Sequence, residues 1–545
     1  MADQPTLTQL PILPHYNTKT PPCSAGCFCA EDIRGYLTLI AQADEYGRTH
    51  QRATTMAFER LVQKNPLPAT LGRVCPHPCE TACNRGAKDE PVAIHLVEKG
   101  IGDFALTNKL PLPAGTAPKT GKQVAVIGSG PAGLSAAYQL NLLGHQVTLM
   151  DQMAEAGGML RWGIPNYRLP EAVLAQEIQR IFDLGVTFKP NFQIGRDQSL
   201  EALTANYDAV FVAIGAGQGR QLPLEGSDGP GVMTGVQFLL DHKQGNLPPV
   251  PDKVIVIGGG DVAFDVARSC IRLGAKQVQL LCREPRELMP ATTEEIEQGT
   301  EEGIALHPGM SPKSFLNSGG ALSGMEFIQV TAGEPEPSGW RGFTEVPGTE
   351  TCFEAALVVT AISQSPDYSG LDELSQEDGW TTQVGPHGSL NENGNLWVGG
   401  DIVRRLGLVN QAIGDGYKAA QEINSFLRGE SYSAPIPAPV VSHENMRLDF
   451  YYSTPQNQIQ ALPPEQRVQN FEPYQTGFDD NTLLFEACRC MSCGGCFDCD
   501  TCLRVCGDQA VAKLPRGQHY AFDWDKCTGC SKCAEQCPCN LIDML

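Results

Sequence analysis

Residues 123–151 read QVAVIGSGPAGLSAAYQLNLLGHQVTLMD, and this stretch decides the fold class. An apolar run leads directly into Gly128, Gly130 and Gly133, after which a helical run begins. The first glycine permits a tight turn, the second lets the backbone approach a pyrophosphate, and the third lets the helix pack close to the strand. A second apolar run ends in Asp151, where a carboxylate can accept hydrogen bonds from a ribose. The order of these features predicts a dinucleotide-binding Rossmann unit.

A second unit of the same type starts at residue 254 and reads VIVIGGGDVAFDVARSCIRLGAKQVQLLCRE. Gly258 and Gly260 follow its first strand, and Ala263 stands in place of the third glycine. Its second strand leads to Arg283, and an arginine there often contacts the adenosine ribose or a 2′-phosphate. The neighbouring Glu284 would repel a 2′-phosphate, which favours NADH over NADPH. The alternative is a degenerate repeat that binds nothing, and the intact glycines argue against it.

The stretch LWVGGD at 396–401 indicates which unit binds which nucleotide. In flavoproteins with two dinucleotide sites, a strand ending in Gly-Asp closes the flavin domain. Asp401 is therefore expected to contact the ribityl-phosphate part of FAD, which the first unit would bind. The nicotinamide nucleotide then belongs to the second unit, which is inserted within the flavin domain.

The composition bounds the class of protein. The chain has 545 residues, 41% of them hydrophobic, and a formal net charge of −22. Three or four domains are expected for this length. The acidic balance argues against a nucleic-acid partner, since phosphate backbones favour a basic surface. No apolar run reaches about 18 residues, so no membrane span is predicted. The polar N-terminus lacks a signal-peptide pattern, and a cytoplasmic location is expected.

The 21 cysteines lie mainly at the two ends of the chain, six within residues 23–83 and twelve within 488–545. Tight regular spacing in a reducing compartment indicates metal ligands rather than disulfides. Residues 527–538 (CTGCSKCAEQCP) and 496–506 (CFDCDTCLRVC) show the spacing of a bacterial two-cluster ferredoxin, in which the fourth cysteine of each run binds the other cluster. The predicted 4Fe-4S ligand sets are Cys496, Cys499, Cys502 and Cys537, and Cys527, Cys530, Cys533 and Cys506. Zinc is the alternative.

Three further stretches resemble one protein family: AGGMLRWGIPNYRLP (156–170), FVAIGA (211–216) and CREPRELMPA (282–291). They are similar to the glutamate synthase small-subunit family, which includes the N-terminal part of dihydropyrimidine dehydrogenase and the large subunit of NADH-dependent ferredoxin:NADP oxidoreductase. The resemblance covers about residues 20–430 and implies FAD, a nicotinamide nucleotide and N-terminal 4Fe-4S clusters. Two residues depart from the family, Glu284 where NADPH-using relatives commonly have a second arginine, and Ser363 where glycine is usual.

The resemblance implies two N-terminal clusters, which need eight ligands, and only six cysteines lie there. Relatives fill one position with a Gln or Glu that Glu98 matches, so one cluster is expected to use Cys27, Cys75, Cys79 and Glu98. The alternative for Glu98 is an exposed helix carboxylate.

The other N-terminal cluster would have Cys23 and Cys83 but lacks the two ligands that relatives supply upstream. We hypothesise a permutation in which Cys490 and Cys493, in FEACRCMSCGG, fold back to complete it. Sixteen ligands then serve four clusters, and three end-block cysteines are spare: Cys29, Cys488 and Cys539. The competing hypothesis is a single N-terminal cluster with Cys490 and Cys493 as bystanders.

The predicted fold class is α/β, with two Rossmann-like domains, an N-terminal helical iron-sulfur domain and a C-terminal ferredoxin-like domain. The predicted boundaries are 1–115 for the helical iron-sulfur domain, 116–222 and 373–430 for the FAD domain, 223–372 for the NAD(P) domain, 431–487 for an extended linker and 488–545 for the ferredoxin-like domain. The predicted cofactor-binding residues are Gly128, Gly130, Pro131, Ala132, Gly133, Asp151, Gly158, Arg161, Arg168, Gly400 and Asp401 on the flavin side, and Gly258, Gly260, Asp261, Ala263, Arg283 and Arg286 on the nicotinamide side.

Neither Rossmann unit contains a C-x-x-C or C-x4-C pair, so the flavin is expected to send its electrons to the clusters. This predicts an NAD(P)H:acceptor oxidoreductase whose partner is a ferredoxin or a larger reductase or dehydrogenase complex, and which could form a homodimer. We assign no catalytic acid or base, because hydride transfer depends on position. The alternatives are a glutamate synthase small subunit, a flavin-based bifurcating subunit, and a non-enzymatic cluster scaffold or redox sensor.

Overall fold

The computed structural model describes residues 12–336, 341–376, 379–380, 388–390 and 394–545. These residues divide into two compact units. The first unit contains the described residues up to Pro113 together with Ser433–Ile459 and Gly477–Leu545. The second contains Ala114–Tyr432 and Gln460–Thr476. The stretch 431–487, predicted as a linker, therefore contributes to both units.

The strands of the described residues are β1 Pro14–Tyr16, β2 Gln123–Ile127, β3 Gln146–Met150, β4 Thr187–Lys189, β5 Ala209–Val212, β6 Gln218–Gly219, β7 Val232–Thr234, β8 Lys253–Ile257, β9 Gln277–Cys282, β10 Ala305–Pro308, β11 Met310–Ser318, β12 Ala321–Pro335, β13 Arg341–Glu345, β14 Thr351–Glu354, β15 Leu357–Thr360, β16 Gln364–Ser365, β17 Leu396–Val398, β18 Val511–Lys513, β19 Tyr520–Phe522 and β20 Ile542–Met544.

The α-helices are α1 Pro22–Gly26, α2 Ile33–Ala41, α3 His50–Leu61, α4 Pro68–Val74, α5 Pro78–Thr81, α6 Ile94–Thr107, α7 Pro131–Leu142, α8 Met159–Trp162, α9 Glu171–Asp183, α10 Leu200–Asn206, α11 Gly235–Gln244, α12 Asp261–Arg272, α13 Thr293–Glu301, α14 Asp401–Arg404, α15 Val409–Arg428, α16 Pro464–Arg467, α17 Asp480–Cys488, α18 Thr501–Val505 and α19 Lys532–Glu535. None of the described helices combines the length and apolarity needed to cross a membrane.

The first sheet of the second unit is parallel, with the strand order β17-β5-β2-β3-β4. Its strands are short apolar runs that are buried, as parallel sheets covered on both faces require. Helix α7 begins at Pro131, where the missing N–H costs nothing because the first turn has no intrahelical acceptor. Helix α15 packs against α7 and ends at Gly429, whose φ of 71° allows the left-handed cap.

The second parallel sheet, of order β10-β9-β8-β15-β7, comes from chain segments that lie between β5 and β17 of the first sheet. The nicotinamide-type domain is thus inserted within the flavin-type domain, as predicted. Strands β11, β12 and β13 form an antiparallel sheet to which β14 adds by pairing with β12. Apolar side chains of β8, β12 and β15 share a core that includes Ile255, Phe327 and Val358.

The first unit joins helices α1 to α6 to a small ferredoxin-like region. Strands β18 and β19 form one antiparallel pair in that region. The second pair consists of β1 and β20, with Pro14 opposite Met544 and Tyr16 opposite Ile542. The first described strand of the chain therefore pairs with its last strand. The lysine that follows β1 extends this contact, because Lys19 forms an ion pair with Asp543 at 2.6 Å.

Candidate functional site

The first glycine turn, between β2 and α7, contains glycines with different tasks. Gly128 has a φ of 97°, and a Cβ there would lie 2.3 Å from the carbonyl oxygen of Ala213. A Cβ on Gly133 would lie 1.8 Å from the carbonyl oxygen of Gly128. A Cβ on Gly130 would meet nothing within 4 Å. Packing therefore requires the outer two glycines, whereas the open space at Gly130 fits the approach of a pyrophosphate.

Asp151 follows β3 and is held beside this turn. One oxygen of its carboxylate accepts hydrogen bonds from the backbone N–H of Ser129 at 2.7 Å and from its hydroxyl at 2.6 Å. The other oxygen accepts from the backbone N–H of Met153 at 2.8 Å. These bonds fix a hydrogen-bond acceptor at the end of β3, where the sequence predicts contact with a ribose.

The family-specific segment at 156–170 packs on the same turn. The backbone N–H of Gly157 donates to the carbonyl oxygen of Ser129 at 3.0 Å. A Cβ on Gly158 would lie 2.7 Å from the Cα of Gly130. Further along, the buried Arg161 side chain donates to the carbonyl oxygen of Ala156 at 2.7 Å. Arg161 also forms ion pairs with Glu155 and Glu171, and this set of contacts fixes its position.

Gly400 and Asp401 lie at the start of α14, and Gly400 stands beside the beginning of α7. A Cβ on Gly400 would be 3.2 Å from the Cβ of Ala132. One Asp401 oxygen accepts from the backbone N–H of Gly407 at 3.0 Å, and burial raises the pKa of this carboxyl group. The structure thus brings the LWVGGD stretch to the first glycine turn, although 267 residues separate Gly133 from Gly400 (400 − 133).

The second glycine turn, between β8 and α12, repeats the first. Gly258 has a φ of 143°, and a Cβ there would lie 2.3 Å from the carbonyl oxygen of Ala361. Ala263 is fully buried in the helix that follows, so its methyl group takes the place of the third glycine within the packed core. Asp261 accepts from the backbone N–H of Thr292 at 3.1 Å, and burial raises the pKa of its carboxyl group.

Glu284 is the charged side chain that lies beside this turn, whereas Arg283 and Arg286 have no contact with it among the contacts of the described residues. One of its carboxylate oxygens lies 3.3 Å from the position of a Cβ on Gly259. Arg283 forms an ion pair with Glu284 at 3.1 Å, and its guanidinium lies 4.8 Å from the ring centre of Phe343. Arg286 begins a short 3-10 turn, Arg286–Leu288. A carboxylate, rather than a free cation, therefore borders the glycines.

Arg168 occupies a different environment from the other predicted cofactor residues. Its guanidinium forms ion pairs with Asp265 at 2.8 Å and with Glu295 at 3.1 Å. Both carboxylates are buried and belong to the inserted domain. The observed contacts tie the 156–170 segment to α12 and α13, and contact of Arg168 with a cofactor stays a prediction.

In the first unit, Cys23, Cys83, Cys490 and Cys493 line one cavity. Cys23 comes from α1, Cys83 follows α5, and the other two follow α17. The negative charges of Cys490, Cys83 and Cys493 add to burial in raising the pKa of the Cys23 thiol. Four thiols around one cavity fit a 4Fe-4S cluster, and the structure therefore brings together the two ends of the chain as the fold-back hypothesis requires.

The predicted Cys27, Cys75, Cys79 and Glu98 set also gathers in the first unit. Burial, then the charges of Glu98 and Cys27, raises the pKa of the Cys75 thiol. Glu98 is only 6% exposed, which excludes the alternative of an exposed helix carboxylate. Its carboxylate accepts a hydrogen bond from the amide of Asn65 at 2.6 Å. Glu98 is thus held among the thiols, and its role as a ligand stays a prediction.

Sequence reasoning missed two buried neighbours of this set. The ligand atoms of Cys27, Cys29 and Glu31 all lie within 4.8 Å of one another. Cys29, which the ligand count leaves spare, and Glu31 therefore lie beside the predicted ligand Cys27. The signal was the short C-x-C-x-E pattern at 27–31, which has no counterpart in the ferredoxin spacing.

The C-terminal cysteines form two further groups. Cys506, Cys527, Cys530 and Cys533 line a second cavity. Burial, then the charges of Cys499 and Cys537, raises the pKa of Cys502 to about 12, as expected for thiols that share one site. The sulfur of the spare Cys539 lies 3.6 Å from that of Cys537. The third spare thiol, Cys488, is exposed.

Comparisons with known proteins agree with this arrangement. Family models match residues 122–416 (pyridine nucleotide-disulphide oxidoreductase), 16–110 (dihydroprymidine dehydrogenase domain II, 4Fe-4S cluster) and 520–543 (4Fe-4S binding domain). The beta subunit of the NADP(+)-dependent formate dehydrogenase of Moorella thermoacetica is 36% identical over 507 residues, 87% of this chain and 70% of the relative.

Two further proteins are similar over the nucleotide-binding part. The small chain of the NADPH glutamate synthase of Escherichia coli is 34% identical over 391 residues, 68% of this chain and 83% of the relative. The structure of Mycobacterium tuberculosis FprA in complex with NADPH superposes with a TM-score of 0.50 at 19% identity, covering 58% of this chain and 87% of FprA. That likeness concerns the fold alone.

Proposed function

This chain belongs to the pyridine nucleotide-disulphide oxidoreductase family, and it also carries 4Fe-4S domains. We propose that it moves electrons between NAD(P)H and a partner protein through FAD and four clusters. When bound, FAD exchanges hydride with the nicotinamide and single electrons with the clusters. The residues of the chain hold these groups in position, and the proposal assigns no acid or base to the hydride step.

Each predicted residue set has one task in this proposal. The turn around Gly130 binds the FAD pyrophosphate, Asp151 binds its ribose, and Asp401 orients the ribityl-phosphate part. The turn around Gly260 binds the nicotinamide nucleotide. Four sets of four ligands hold the clusters: Cys27, Cys75, Cys79 and Glu98; Cys23, Cys83, Cys490 and Cys493; Cys496, Cys499, Cys502 and Cys537; and Cys506, Cys527, Cys530 and Cys533.

One observation carries the four-cluster proposal. The cavity lined by Cys23, Cys83, Cys490 and Cys493 supplies the two ligands that the N-terminal block lacks. This shared site supports one chain of electron carriers that runs through both cysteine-rich ends of the sequence, rather than two independent iron-sulfur domains.

The spacing of the ligands supports a relay from the Glu98 site to the Cys23 site, then to the Cys496 site and finally to the Cys527 site. Ligands of neighbouring sites are four residues apart at Cys23 and Cys27, three apart at Cys493 and Cys496, and four apart at Cys502 and Cys506. Because an extended chain rises at most ~3.6 Å per residue, these separations keep the linked Cα atoms within about 14 Å. Each proposed site therefore has a neighbour close enough to exchange electrons.

The far end of the relay is the proposed docking point of the redox partner. Cys530 is the exposed member of its ligand set, and the neighbouring Trp524 is half exposed. A partner with its own one-electron centre could approach this site closely. We propose a ferredoxin or a subunit of a larger reductase or dehydrogenase as that partner, and a cytoplasmic location, where thiolate ligands stay reduced. Homodimer formation is a separate proposal that light scattering tests.

Nucleotide choice is also part of the proposal. The two relatives described above are named for NADP(+) and NADPH, whereas Glu284 beside Gly259 favours the unphosphorylated ribose of NADH. We propose that this chain uses both nucleotides and that Glu284 limits the use of NADPH.

The first experiment is reduction of a viologen dye by the purified protein with NADH or NADPH. Dye reduction is expected with at least one of them. No reduction with either nucleotide would contradict the oxidoreductase proposal and favour a cluster scaffold.

The second experiment counts iron. About 16 iron atoms per chain are expected, four for each of four clusters, and Cys490→Ala and Cys493→Ala should each lower the count to about 12. Cys488→Ala is the matched control, because this nearby exposed thiol belongs to no ligand set. An unchanged iron count in both Cys490→Ala and Cys493→Ala would contradict the fold-back of the C-terminal block.

A further inference from the structure

A guanidinium group lies at the cavity of Cys23, Cys83, Cys490 and Cys493. Arg34, in the first turn of α2, lines this cavity and donates a hydrogen bond to the backbone carbonyl oxygen of Cys493 at 2.8 Å. It donates a second to the carbonyl oxygen of Lys19 at 3.2 Å. Among the described residues, no carboxylate forms an ion pair with Arg34. Its positive charge therefore lies beside the cavity without an ion-pair partner in the described part of the chain and acts on the Cys490 thiol.

The second arginine at the cavity differs from Arg34 in this respect. Arg85 donates to the carbonyl oxygen of Arg489 at 2.6 Å, and its guanidinium is paired with both carboxylate oxygens of Asp89, at 2.8 and 2.9 Å. The Asp89 charge offsets much of its field. Arg34 is thus the cation with the larger net effect on the cavity.

Polar N–H groups add to the positive field around the same sulfurs. The amide of Asn84 donates to the Cys493 sulfur at 3.6 Å, and the backbone N–H of Ser492 donates to the Cys490 sulfur at 3.4 Å. Hydrogen bonds to cluster sulfurs and nearby cations both stabilise the more negative, reduced state.

The neighbouring Glu98 site has the opposite surroundings. Three carboxyl groups lie at or around it, those of Glu31, Glu80 and Glu98, and each is at most 7% exposed. The charge of Glu98 acts on Cys75, and that of Glu80, whose carboxylate is paired with His95 at 2.7 Å, acts on Cys79. The carboxylate of Glu98, as a ligand of this cluster, would disfavour addition of an electron.

We propose that Arg34 sets a potential step between the two N-terminal clusters, by raising the reduction potential of the cluster at Cys23, Cys83, Cys490 and Cys493 above that of the Glu98 cluster. One electron leaves the reduced Glu98 cluster and enters its neighbour, with no change in covalent bonds. The step makes this transfer favourable and slows its reversal. The inference rests on the four-cluster function proposed above.

The chain makes room for this guanidinium with a glycine. A Cβ on Gly495 would lie 2.8 Å from the central carbon of the Arg34 guanidinium. Gly495 is two residues beyond Cys493, so the loop that supplies the cluster ligand also determines where the cation lies. Gly495→Ala therefore displaces the charge without removing it and gives a second route to the same test.

The experiment is a redox titration of the full-length protein, followed by electron paramagnetic resonance. The signal that disappears in Cys490→Ala identifies the cluster. The comparison is made at the potential where half of this cluster is reduced in the unaltered protein. At that potential, Arg34→Gln should lower the ratio of reduced to oxidised cluster at least tenfold, which corresponds to a shift of 59 mV for one electron. Arg34→Lys keeps the charge and should stay within about threefold of the unaltered protein.

Arg60→Gln is the matched control, because this half-exposed arginine of the same unit pairs with Asp32 on the surface. It should leave the titration unchanged. An unchanged midpoint in Arg34→Gln, or equal shifts in the Gln and Lys variants, would overturn the proposal. If Arg34→Gln loses iron, Gly495→Ala decides, and an unshifted midpoint there overturns it.

These outcomes are separate from those of the proposed function. If the iron count shows no cluster at Cys490, the four-cluster function itself is wrong. If that cluster is present and is reduced by NAD(P)H, but its midpoint potential is unchanged in Arg34→Gln, only the proposed potential step is wrong.

Discussion

At the scale of single residues, the expected nucleotide preference depends on where a charged side chain lies, which the residue types alone do not tell. Glu284 follows directly after Arg283, and the sequence alone cannot tell which of the two side chains faces the nucleotide. In the structure Glu284 borders the second glycine turn, while Arg283 is exposed and paired with it. We therefore expect the carboxylate, rather than the arginine, to influence how well a phosphorylated ribose is accepted.

Glu284→Ala should raise the preference for NADPH. Removing a carboxylate beside the binding turn removes its repulsion of the 2′-phosphate and frees Arg283 to contact it. We expect the ratio of kcat/KM for NADPH to that for NADH to increase roughly tenfold, about 1.4 kcal/mol in relative transition-state binding. Steady-state kinetics with a viologen acceptor measures it.

Glu287→Ala is the control for this change, since Glu287 is an exposed carboxylate three residues away. The same ratio in both variants would show that Glu284 has no specific effect on nucleotide choice.

Site residues could be predicted where their spacing in the sequence identifies them, but not where they come together only on folding. The glycines and the ferredoxin cysteines follow fixed local patterns, so the sequence predicted them directly. Arg34 gives no such signal, because it meets Cys493 only after a separation of 459 residues has been closed by folding. Cys29 and Glu31 were missed for a different reason, because their short local pattern has no counterpart in the ferredoxin spacing.

At the scale of elements, the strand–turn–helix of residues 123–142 separates packing from binding. Gly133 is needed so that α7 can approach β2, whereas Gly130 has free space around its Cα. The backbone φ of Gly130 is −71°, which any residue can adopt. A methyl group there should therefore leave the fold intact and fill only the space that the pyrophosphate needs.

Gly130→Ala should abolish FAD retention without lowering the stability of the FAD-free protein. Flavin absorbance of the purified variant measures the first, and thermal unfolding of the flavin-free protein measures the second. Gly133→Ala is the comparison, because its methyl group would overlap the carbonyl of Gly128. It should cost about 1–3 kcal/mol of stability in addition to the flavin. Full flavin in Gly130→Ala would contradict the assignment of this turn.

The segment 431–487 shows why some elements resist sequence prediction. Its proline-rich, polar composition indicates an extended connector. In the structure it also includes α16 and the start of α17, and Tyr451 packs near the thiols, donating its hydroxyl to the carbonyl oxygen of Met491 at 2.8 Å. Composition describes how a segment behaves alone, whereas here the order comes from the surfaces that the segment contacts.

At the scale of the whole molecule, the first unit is assembled from segments that are far apart in sequence. The backbone N–H of Thr20 donates to the carbonyl oxygen of Pro439, and Arg85 donates to that of Arg489. Together with the β1–β20 pair, these contacts join the segments directly, and we expect them to hold the unit together when the chain between the segments is cut.

Cutting the chain within the exposed stretch 433–439 should therefore leave the two fragments associated. A protease site placed there should, after cleavage, give one peak in size-exclusion chromatography with the iron count unchanged, because the contacts and the shared cluster cross the cut. Cleavage of the unfolded protein in denaturant is the control, where two separate fragments are expected. Separation of the fragments under native conditions would contradict the joining of the chain ends.

The meeting of the chain ends in the first unit was predicted by counting ligands rather than by recognising a contact. Cys23 and Cys83 left a cluster two ligands short, and Cys490 and Cys493 were the cysteines left over in a suitable motif. That argument could indicate which residues meet, but not the β1–β20 pairing, because three-residue strands carry too little pattern to be recognised.

The union of the chain ends also places a limit on the biosynthesis of the protein. Cys490 leaves the ribosome 467 residues after Cys23 (490 − 23), which at ~5–20 residues per second is a delay of roughly 25–90 s. During that interval the N-terminal thiols at this site have no complete ligand set to receive iron. With the proposed ligand set, metal delivery to the second N-terminal cluster would follow the synthesis of Cys493, and a chain terminated before that residue would lack this cluster.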